Sequence, residues 1–258
     1  AELRSPESRQ LAYEMAVGVC DADGAQGPAE KIFLAKLAEA LALPAAAASA
    51  TSARADEVAE AAFSPTEASA AAASAPVSGT VMGKANISDA EMDKVILNAA
   101  ITNAALELLP ESLASMAIIP LQMRLVYRIG KAHGYEMDRT HAKDFIATLG
   151  VGLTGQYLEQ FGRKLLGGLL GGLGGGIGRG VGRQAASSGL TFATTYALGR
   201  VAQRYYAAGR TIDTATLKQT FASLLDEARG LAPRYREQIE QKAGTIDVGS
   251  LASLVRQA

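Results

Sequence analysis

The side chains most suited to binding a cation lie near the start of the chain: Asp21, Asp23 and Glu30. Carboxylate oxygens are the ligands that hard divalent cations prefer, so these three could weakly gather one such cation. The segment begins like a calcium-binding loop, but Ile32 stands where that loop requires a glutamate. A turn followed by a helix N-terminus is the favoured interpretation, and a divalent-cation sensor is an alternative.

The other reactive residues form no catalytic pattern in the sequence. His133 and His141 are eight positions apart across a turn, without the spacing of a zinc-protease helix, and are interpreted as surface or capping residues. Ser188 lacks the Gly-x-Ser-x-Gly setting of a nucleophile elbow. The glycine-rich run lacks the Gly-Lys-Ser/Thr ending of a phosphate-binding loop. We therefore predict that the protein is not an enzyme and that it holds no cofactor.

Glycines dominate one part of the chain. Between Gly150 and Gly182 lie 14 of the 27 glycines, many of them four residues apart. A helix with this spacing has one face without side chains, which lets a second helix approach closely. In water such a helix is poor, because each glycine costs about 1 kcal/mol relative to alanine, so packing or lipid must compensate. The predicted lipid or self-association glycines are Gly167, Gly168, Gly171, Gly172, Gly175, Gly176 and Gly180.

The charge pattern around these glycines indicates an anionic partner. Residues 160–212 include seven basic and no acidic residues. Two uncharged runs, 165–177 and 184–199, are shorter than the roughly 20 apolar residues of a spanning helix. A shallow hairpin over 145–208 in one leaflet fits better, because each basic residue near anionic lipid adds about 1 kcal/mol. The predicted basic contacts are Arg163, Lys164, Arg179, Arg183, Arg200 and Arg204.

Other interpretations of the same run stay open. It could be a tight helix crossing in a soluble homo-oligomer, or a mobile loop. A nucleic-acid partner is not predicted, because the net charge is −1 and the adjacent Tyr205 and Tyr206 do not make a stacking platform.

Charge and cysteine content indicate a two-part protein in a reducing compartment. Residues 1–94 carry a net charge of −7 and residues 95–258 a net charge of +6. The one cysteine, Cys20, excludes an internal disulfide framework and suits a buried thiol. Residues 1–10 are polar and charged, unlike a secretory signal. A cytoplasmic location is therefore predicted.

Helix-start signals position these residues in an all-α fold. Candidate starts are Ser5-Pro6, Gly27-Pro28 with Glu30, the Ser88–Glu91 capping box, Pro110, Asp138, Asp213 and Pro233. Pro120 is predicted to kink its helix, and no run alternates like a strand. The predicted architecture is a helical bundle with a glycine-zipper hairpin and a small N-terminal helical hairpin.

The segment between the two parts is rich in alanine. Residues 45–75 hold 16 alanines, and Val58 and Phe63 are the only larger apolar residues there. So little apolar area predicts a flexible linker over 45–86, with a transient helix near 56–63. The predicted units are therefore an N-terminal hairpin at 1–44, the linker, and a helical domain at 87–258.

Residues 16–24, Ala-Val-Gly-Val-Cys-Asp-Ala-Asp-Gly, together with Glu30, Phe33 and Leu37, resemble tellurite-resistance TerB-like domains. The resemblance covers about residues 5–43, with a helix–Asp-Gly–helix pattern. It implies a helical hairpin in which Asp21, Asp23 and Glu30 bind a divalent metal.

A longer resemblance covers about residues 90–230. Residues 119–123 (Ile-Pro-Leu-Gln-Met), 127–130 (Tyr-Arg-Ile-Gly) and 133–137 (His-Gly-Tyr-Glu-Met), with the glycine-rich run and 195–199, are similar to the uncharacterised YcjF-like domain. This implies association with the bacterial inner membrane, a GTPase as partner in trans and no catalytic residues. The sequence thus predicts a non-catalytic adaptor or scaffold on the cytoplasmic face of that membrane, self-associating through its glycine faces.

Overall fold

The computed structural model describes residues 5–21, 26–64, 85–109, 116–149 and 178–258, and these are helices and connecting turns with no strand. The all-α prediction is therefore confirmed. In the N-terminal half the helices are α1 (Pro6–Cys20), α2 (Pro28–Ala40) and α3 (Ala45–Ala61). The later helices are α4 (Asp89–Leu108), α5 (Ile118–Ala132), α6 (Arg139–Thr148), α7 (Gly178–Ala207), α8 (Thr214–Leu231), α9 (Arg236–Ala243) and α10 (Leu251–Gln257). Short 3-10 turns cover Ala232–Tyr235 and Val248–Ser250.

Several helices begin where local capping signals predict them. The Ser5 hydroxyl accepts the amide of Ser8 at the start of α1, and Pro6 occupies the first helical position. Ser88 and Glu91 form a capping box at α4. Asp213 accepts the amide of Thr216 at α8. Each cap satisfies backbone donors that a helix leaves without partners.

Two proline predictions have different outcomes. Pro120 lies in the first turn of α5, and a turn at Ala117 separates this helix from the helical residue Met116, so the predicted helix is interrupted before Pro120 instead of kinked at it. In a first turn the missing proline amide removes no intrahelical hydrogen bond, which is why the helix accepts it there. Pro110 lies outside the described residues. Pro233 falls in the 3-10 turn that leads into α9, and Gly244 ends that helix as predicted.

Helix α7 is the centre of the bundle. It packs against α4, α5 and α8, and α4 also packs against α9. Gly199 makes the closest approach in this arrangement, since a Cβ atom there would lie 2.8 Å from Ile96 Cγ2 and 3.1 Å from Leu125 Cδ2. Ile96 and Leu125 are fully buried, so a glycine at 199 sets how near α7 can come to α4 and α5.

The first part of the predicted linker is a helix in the structure. Residues 45–61 form α3, which packs against α1, α2, α5 and α10. Its inward face consists mainly of small side chains, at Ala48, Thr51, Ala55, Val58, Ala59 and Ala61. Alanine offers little apolar area, but it lets neighbouring helices approach closely, and two of those partners, α5 and α10, come from distant parts of the chain. Residues 65–84, the rest of the predicted linker, lie outside the described residues.

Arg124 of α5 holds the end of α3 against the later helices. Its buried guanidinium donates to the carbonyl oxygens of Ala62 at 3.2 Å, Ser64 at 2.7 Å and Arg256 at 2.9 Å. These carbonyls follow α3 and end α10, where the negative ends of two helix dipoles meet the positive charge. The N-terminal helices are therefore docked on the bundle.

Candidate functional site

Most of the predicted glycine face falls outside the described residues. Gly167, Gly168, Gly171, Gly172, Gly175 and Gly176 lie there, as do Arg163 and Lys164. Arg179, Gly180 and Arg183 belong to the first turns of α7. The glycine zipper within the predicted hairpin at 145–208 thus stays a prediction.

The second uncharged run, which the sequence assigned to lipid, is buried by protein where it is described. Phe192, Thr195 and Leu198 have essentially no exposed surface. Thr195 accepts a hydrogen bond from the Gln122 side chain at 3.0 Å. The expectation that residues 184–199 enter a membrane is therefore corrected for 188–199, because these residues form the core of the bundle.

The predicted arginines have different environments along α7. Arg200 forms an ion pair with Asp93 of α4, and it donates through Nε to the Tyr196 hydroxyl at 3.1 Å. Arg204 is exposed. Arg183 and Arg204 are 21 positions apart, which corresponds to about 30 Å along a helix. The basic residues of α7 are therefore at opposite ends of the bundle.

The end of the bundle where α7 enters it has apolar side chains and charges of both signs. A hollow of about 310 Å³ is bounded by Leu190 of α7, Pro233 after α8, the exposed arginines Arg229 and Arg236, and the exposed Glu240 of α9. Arg229 pairs with Asp226 at 2.9 Å on its own helix. This surface lies next to residues 178–187, the basic beginning of α7.

The predicted cation ligands do not share one site among the described residues. Asp21 is buried, whereas Asp23 lies outside the described residues. Glu30 caps its own helix, accepting the Gly27 amide at 2.6 Å. Across the described ranges, no three His, Cys, Asp or Glu side chains are arranged to hold a metal ion. The capping role of Glu30 agrees with the favoured interpretation, a turn followed by a helix N-terminus.

A cluster of polar residues that the sequence did not reveal surrounds Asp21. Asp56 of α3 accepts the Gln26 amide at 3.3 Å, and Ser52 donates to the Gln26 side-chain oxygen at 2.8 Å. Asp21 is 7% exposed, and its carboxyl group interacts with the Gln26 side chain and with Asp56. Asp56 was assigned to the linker, so only the docking of α3 brings it here.

One carboxyl group in this cluster has a strongly raised pKa, and burial is the main cause. It raises the pKa of Asp21 to about 7 from an ordinary 3.8, and the charges of Asp56 and Glu30 add to the rise while the Gln26 amide opposes it. Burial favours the neutral form of a carboxyl group, because the charged form loses its hydration. Asp21 is therefore partly protonated near neutral pH, which reduces the negative charge of the cluster.

A cavity of about 610 Å³ opens beside this cluster, between α2 and α3. Gln26, Ser52 and Asp56 stand at its polar end. The apolar wall is formed by Tyr13, Leu34, Ala38 and Ala48, all of them buried. Concave apolar sites with a few converging polar groups are typical of small-molecule binding.

The two histidines lie near helix ends, and their surroundings differ. His141 is exposed, and its Nδ1 lies 2.7 Å from Asp138, the residue that caps α6. His133 is the C-terminal cap residue of α5 and is buried. The capping interpretation holds for His133 and the surface interpretation for His141.

Comparison of the chain with family models, curated proteins and solved structures finds no match. The TerB-like and YcjF-like resemblances stay predictions from the sequence. Within the described residues, none of the helices has both the length and the apolar character that crossing a bilayer requires.

Proposed function

We propose that this chain is a non-catalytic adaptor that binds the anionic cytoplasmic face of the bacterial inner membrane and self-associates through its glycine faces. The observation that carries the proposal is the acid-free stretch 160–212, whose first part, 160–187, has four basic residues and no acidic residue. Basic residues near anionic lipid contribute about 1 kcal/mol each. Several together give binding that is reversible and sensitive to salt.

The way α7 is held in the bundle supports this role. Its second half is fixed by the Arg200–Asp93 ion pair, by the Gln122–Thr195 hydrogen bond and by the close approach at Gly199. Because this half of α7 is held firmly in the bundle, the basic residues 178–187 at its start are attached to a rigid body. The bundle is then the body of the adaptor and residues 160–187 are its membrane-contacting part.

The length of α7 decides which basic residues face lipid in this proposal. Arg229 and Arg236 lie at the same end of the bundle as residues 178–187, next to an apolar hollow. Arg204 lies about 30 Å away along the helix, and Arg200 is engaged with Asp93. We therefore assign lipid contact to Arg179 and Arg183 and withdraw it from the other two.

The test is flotation of the full chain with vesicles, comparing pure phosphatidylcholine with phosphatidylcholine containing phosphatidylglycerol. We expect flotation only with the anionic vesicles, and less of it at high salt. Arg179→Glu with Arg183→Glu should abolish it. The matched control reverses two exposed charges at the other end of the bundle, Arg204→Glu with Lys218→Glu, and should float normally. Absence of flotation, equal flotation with neutral vesicles, or equal loss in both double variants would refute the proposal.

A soluble homo-oligomer packed through the glycine faces is the second candidate. The observation in its favour is the four-residue spacing of Gly168, Gly172, Gly176 and Gly180, which would give a helix one face without side chains. This candidate predicts a monodisperse oligomer without lipid, measured by light scattering during size-exclusion chromatography. Gly172→Leu should dissociate it, whereas a monomer in the unmodified chain would exclude it.

A further inference from the structure

We propose that the hollow where α7 enters the bundle binds a free amino acid with an apolar side chain, in its zwitterionic form. The ligand carboxylate would pair with Arg236 and the ligand ammonium group with Glu240. The ligand side chain would lie against Leu190 and Ile239. Such binding needs no membrane and is therefore independent of the function proposed above.

Two opposite charges at this hollow have no partner within the described residues. Arg236 and Glu240 both line it, and they are one turn apart on α9. In the part of the chain that the structure describes, neither side chain forms an ion pair or a hydrogen bond. The basic residue precedes the acidic one, which is the less favourable order for an ion pair at this spacing on a helix. A ligand with one charge of each sign would pair with both side chains.

The other walls of the hollow suit an apolar side chain and one further hydrogen bond. Ile239 and Ala232 are buried and Leu190 is half-buried, so they offer apolar surface. Ser188 also lines the hollow, is 6% exposed, and makes no side-chain hydrogen bond among the described residues. A serine hydroxyl can donate to a carboxylate or accept from an ammonium group, so either end of a zwitterion would satisfy it. The volume of about 310 Å³ is at the lower end of the range for small-molecule sites, which fits a ligand as small as an amino acid.

The balance of charge favours a zwitterion over a simple ion. Arg229, the other arginine that lines the hollow, already pairs with Asp226 at 2.9 Å. Arg236 and Glu240 are therefore the unpaired charges of the lining, one of each sign. An apolar carboxylate would place its negative group beside Glu240, and an apolar amine would place its positive group beside Arg236. Because both arrangements are repulsive, ligands with a single charge should bind less tightly than the zwitterion.

The test is a titration of the full chain with L-leucine, followed by NMR of the protein's isoleucine, leucine and valine methyl groups. Three matched molecules each lack one part of leucine: 4-methylpentanoate lacks the ammonium group, 3-methylbutylamine lacks the carboxylate, and glycine lacks the apolar side chain. We expect L-leucine to shift the methyl signals of Leu190 and Ile239, and each matched molecule to bind at least about tenfold more weakly. Absence of leucine binding, equal or tighter binding of any matched molecule, or shifts that leave Ile239 unchanged would overturn the proposal.

Variants separate this site from non-specific binding. Arg236→Gln and Glu240→Gln should each weaken leucine binding by about tenfold or more, because each removes one charge and keeps a similar shape. Glu240→Gln should also remove the preference for leucine over 4-methylpentanoate. The matched controls, Arg234→Gln and Glu227→Gln, change exposed residues that do not line the hollow and should leave binding unchanged. Circular dichroism checks that each variant folds; unchanged affinity in either folded hollow variant, or equal loss in the controls, would refute the site.

Discussion

Replacement of Gly199 by alanine tests the packing of α7, and the same substitution at Gly230 serves as its control. At position 199 the new methyl group would meet Ile96 Cγ2 at 2.8 Å and Leu125 Cδ2 at 3.1 Å. At position 230, near the end of α8, no heavy atom lies within 4 Å of the added carbon. The two substitutions are chemically identical and differ only in what surrounds them.

Two opposing terms set the expected magnitudes. Alanine is favoured over glycine inside a helix by about 0.5–1 kcal/mol, and this gain applies at both positions. Overpacking at Gly199 costs about 1–3 kcal/mol. Ile96 is β-branched and held in one rotamer by its helix, so Cγ2 cannot rotate away. We expect Gly199→Ala to lower the free energy of unfolding by about 1–2 kcal/mol and Gly230→Ala to raise it by about 0.5 kcal/mol.

The measurement is urea-induced unfolding of the full chain, followed by the helical circular dichroism signal. Ile96→Ala alone should destabilise the protein by about 2–5 kcal/mol, because it leaves a cavity. Combined with Gly199→Ala it should cost less than the sum, by about 0.5 kcal/mol or more, because it removes the clashing methyl group. If Gly199→Ala is as stable as the parent and additive with Ile96→Ala, the close approach of α7 to α4 is not what the geometry indicates.

Two further predictions concern buried charge. Arg124→Met should lower the free energy of unfolding by about 2–4 kcal/mol, because three carbonyl oxygens lose a charged donor. Amide hydrogen exchange in α3 and α10 should also become faster. As a control, the exposed change Arg229→Met should alter the free energy of unfolding by less than about 0.5 kcal/mol. The raised pKa of Asp21 means that the folded state binds a proton more tightly than the unfolded chain, so this group lowers stability as pH rises from about 4 to about 7. The Asp21→Asn chain should therefore be as stable as the parent near pH 4 and more stable by a few kcal/mol, up to roughly 4, near pH 8. Urea unfolding at both pH values measures this difference. A constant difference across that range would contradict the raised pKa of Asp21.

Helix starts were predictable because capping is a local interaction. Ser88 and Glu91, or Asp213 and Thr216, are three residues apart, so the sequence alone contains both partners of each hydrogen bond. The position of Pro120 was harder to interpret. A proline suits the first turn and disrupts the interior of a helix, and the pattern of apolar residues did not distinguish the two.

The polar cluster beside the cavity could be predicted only in part. Asp21 and Glu30 stood out as acidic neighbours, but Asp56 is 35 positions beyond Asp21 in a segment whose alanines indicated no core. Its location depends on α3 docking against α1 and α2, which involves side chains too small to give a strong apolar pattern. Without the docking of α3, the sequence gives no reason to place Asp56 near Asp21 and Glu30.

The amino-acid order alone determined the helical class, most helix ends and the acid-free basic stretch, because these depend on neighbours within a turn or on composition. Tertiary structure decided that α3 belongs to the folded body, that residues 188–199 form core instead of facing lipid, and that Asp56 approaches Asp21. The physical reason is that burial depends on partners far away in the chain. An alanine face or an uncharged run looks the same in sequence whether lipid, water or another helix covers it.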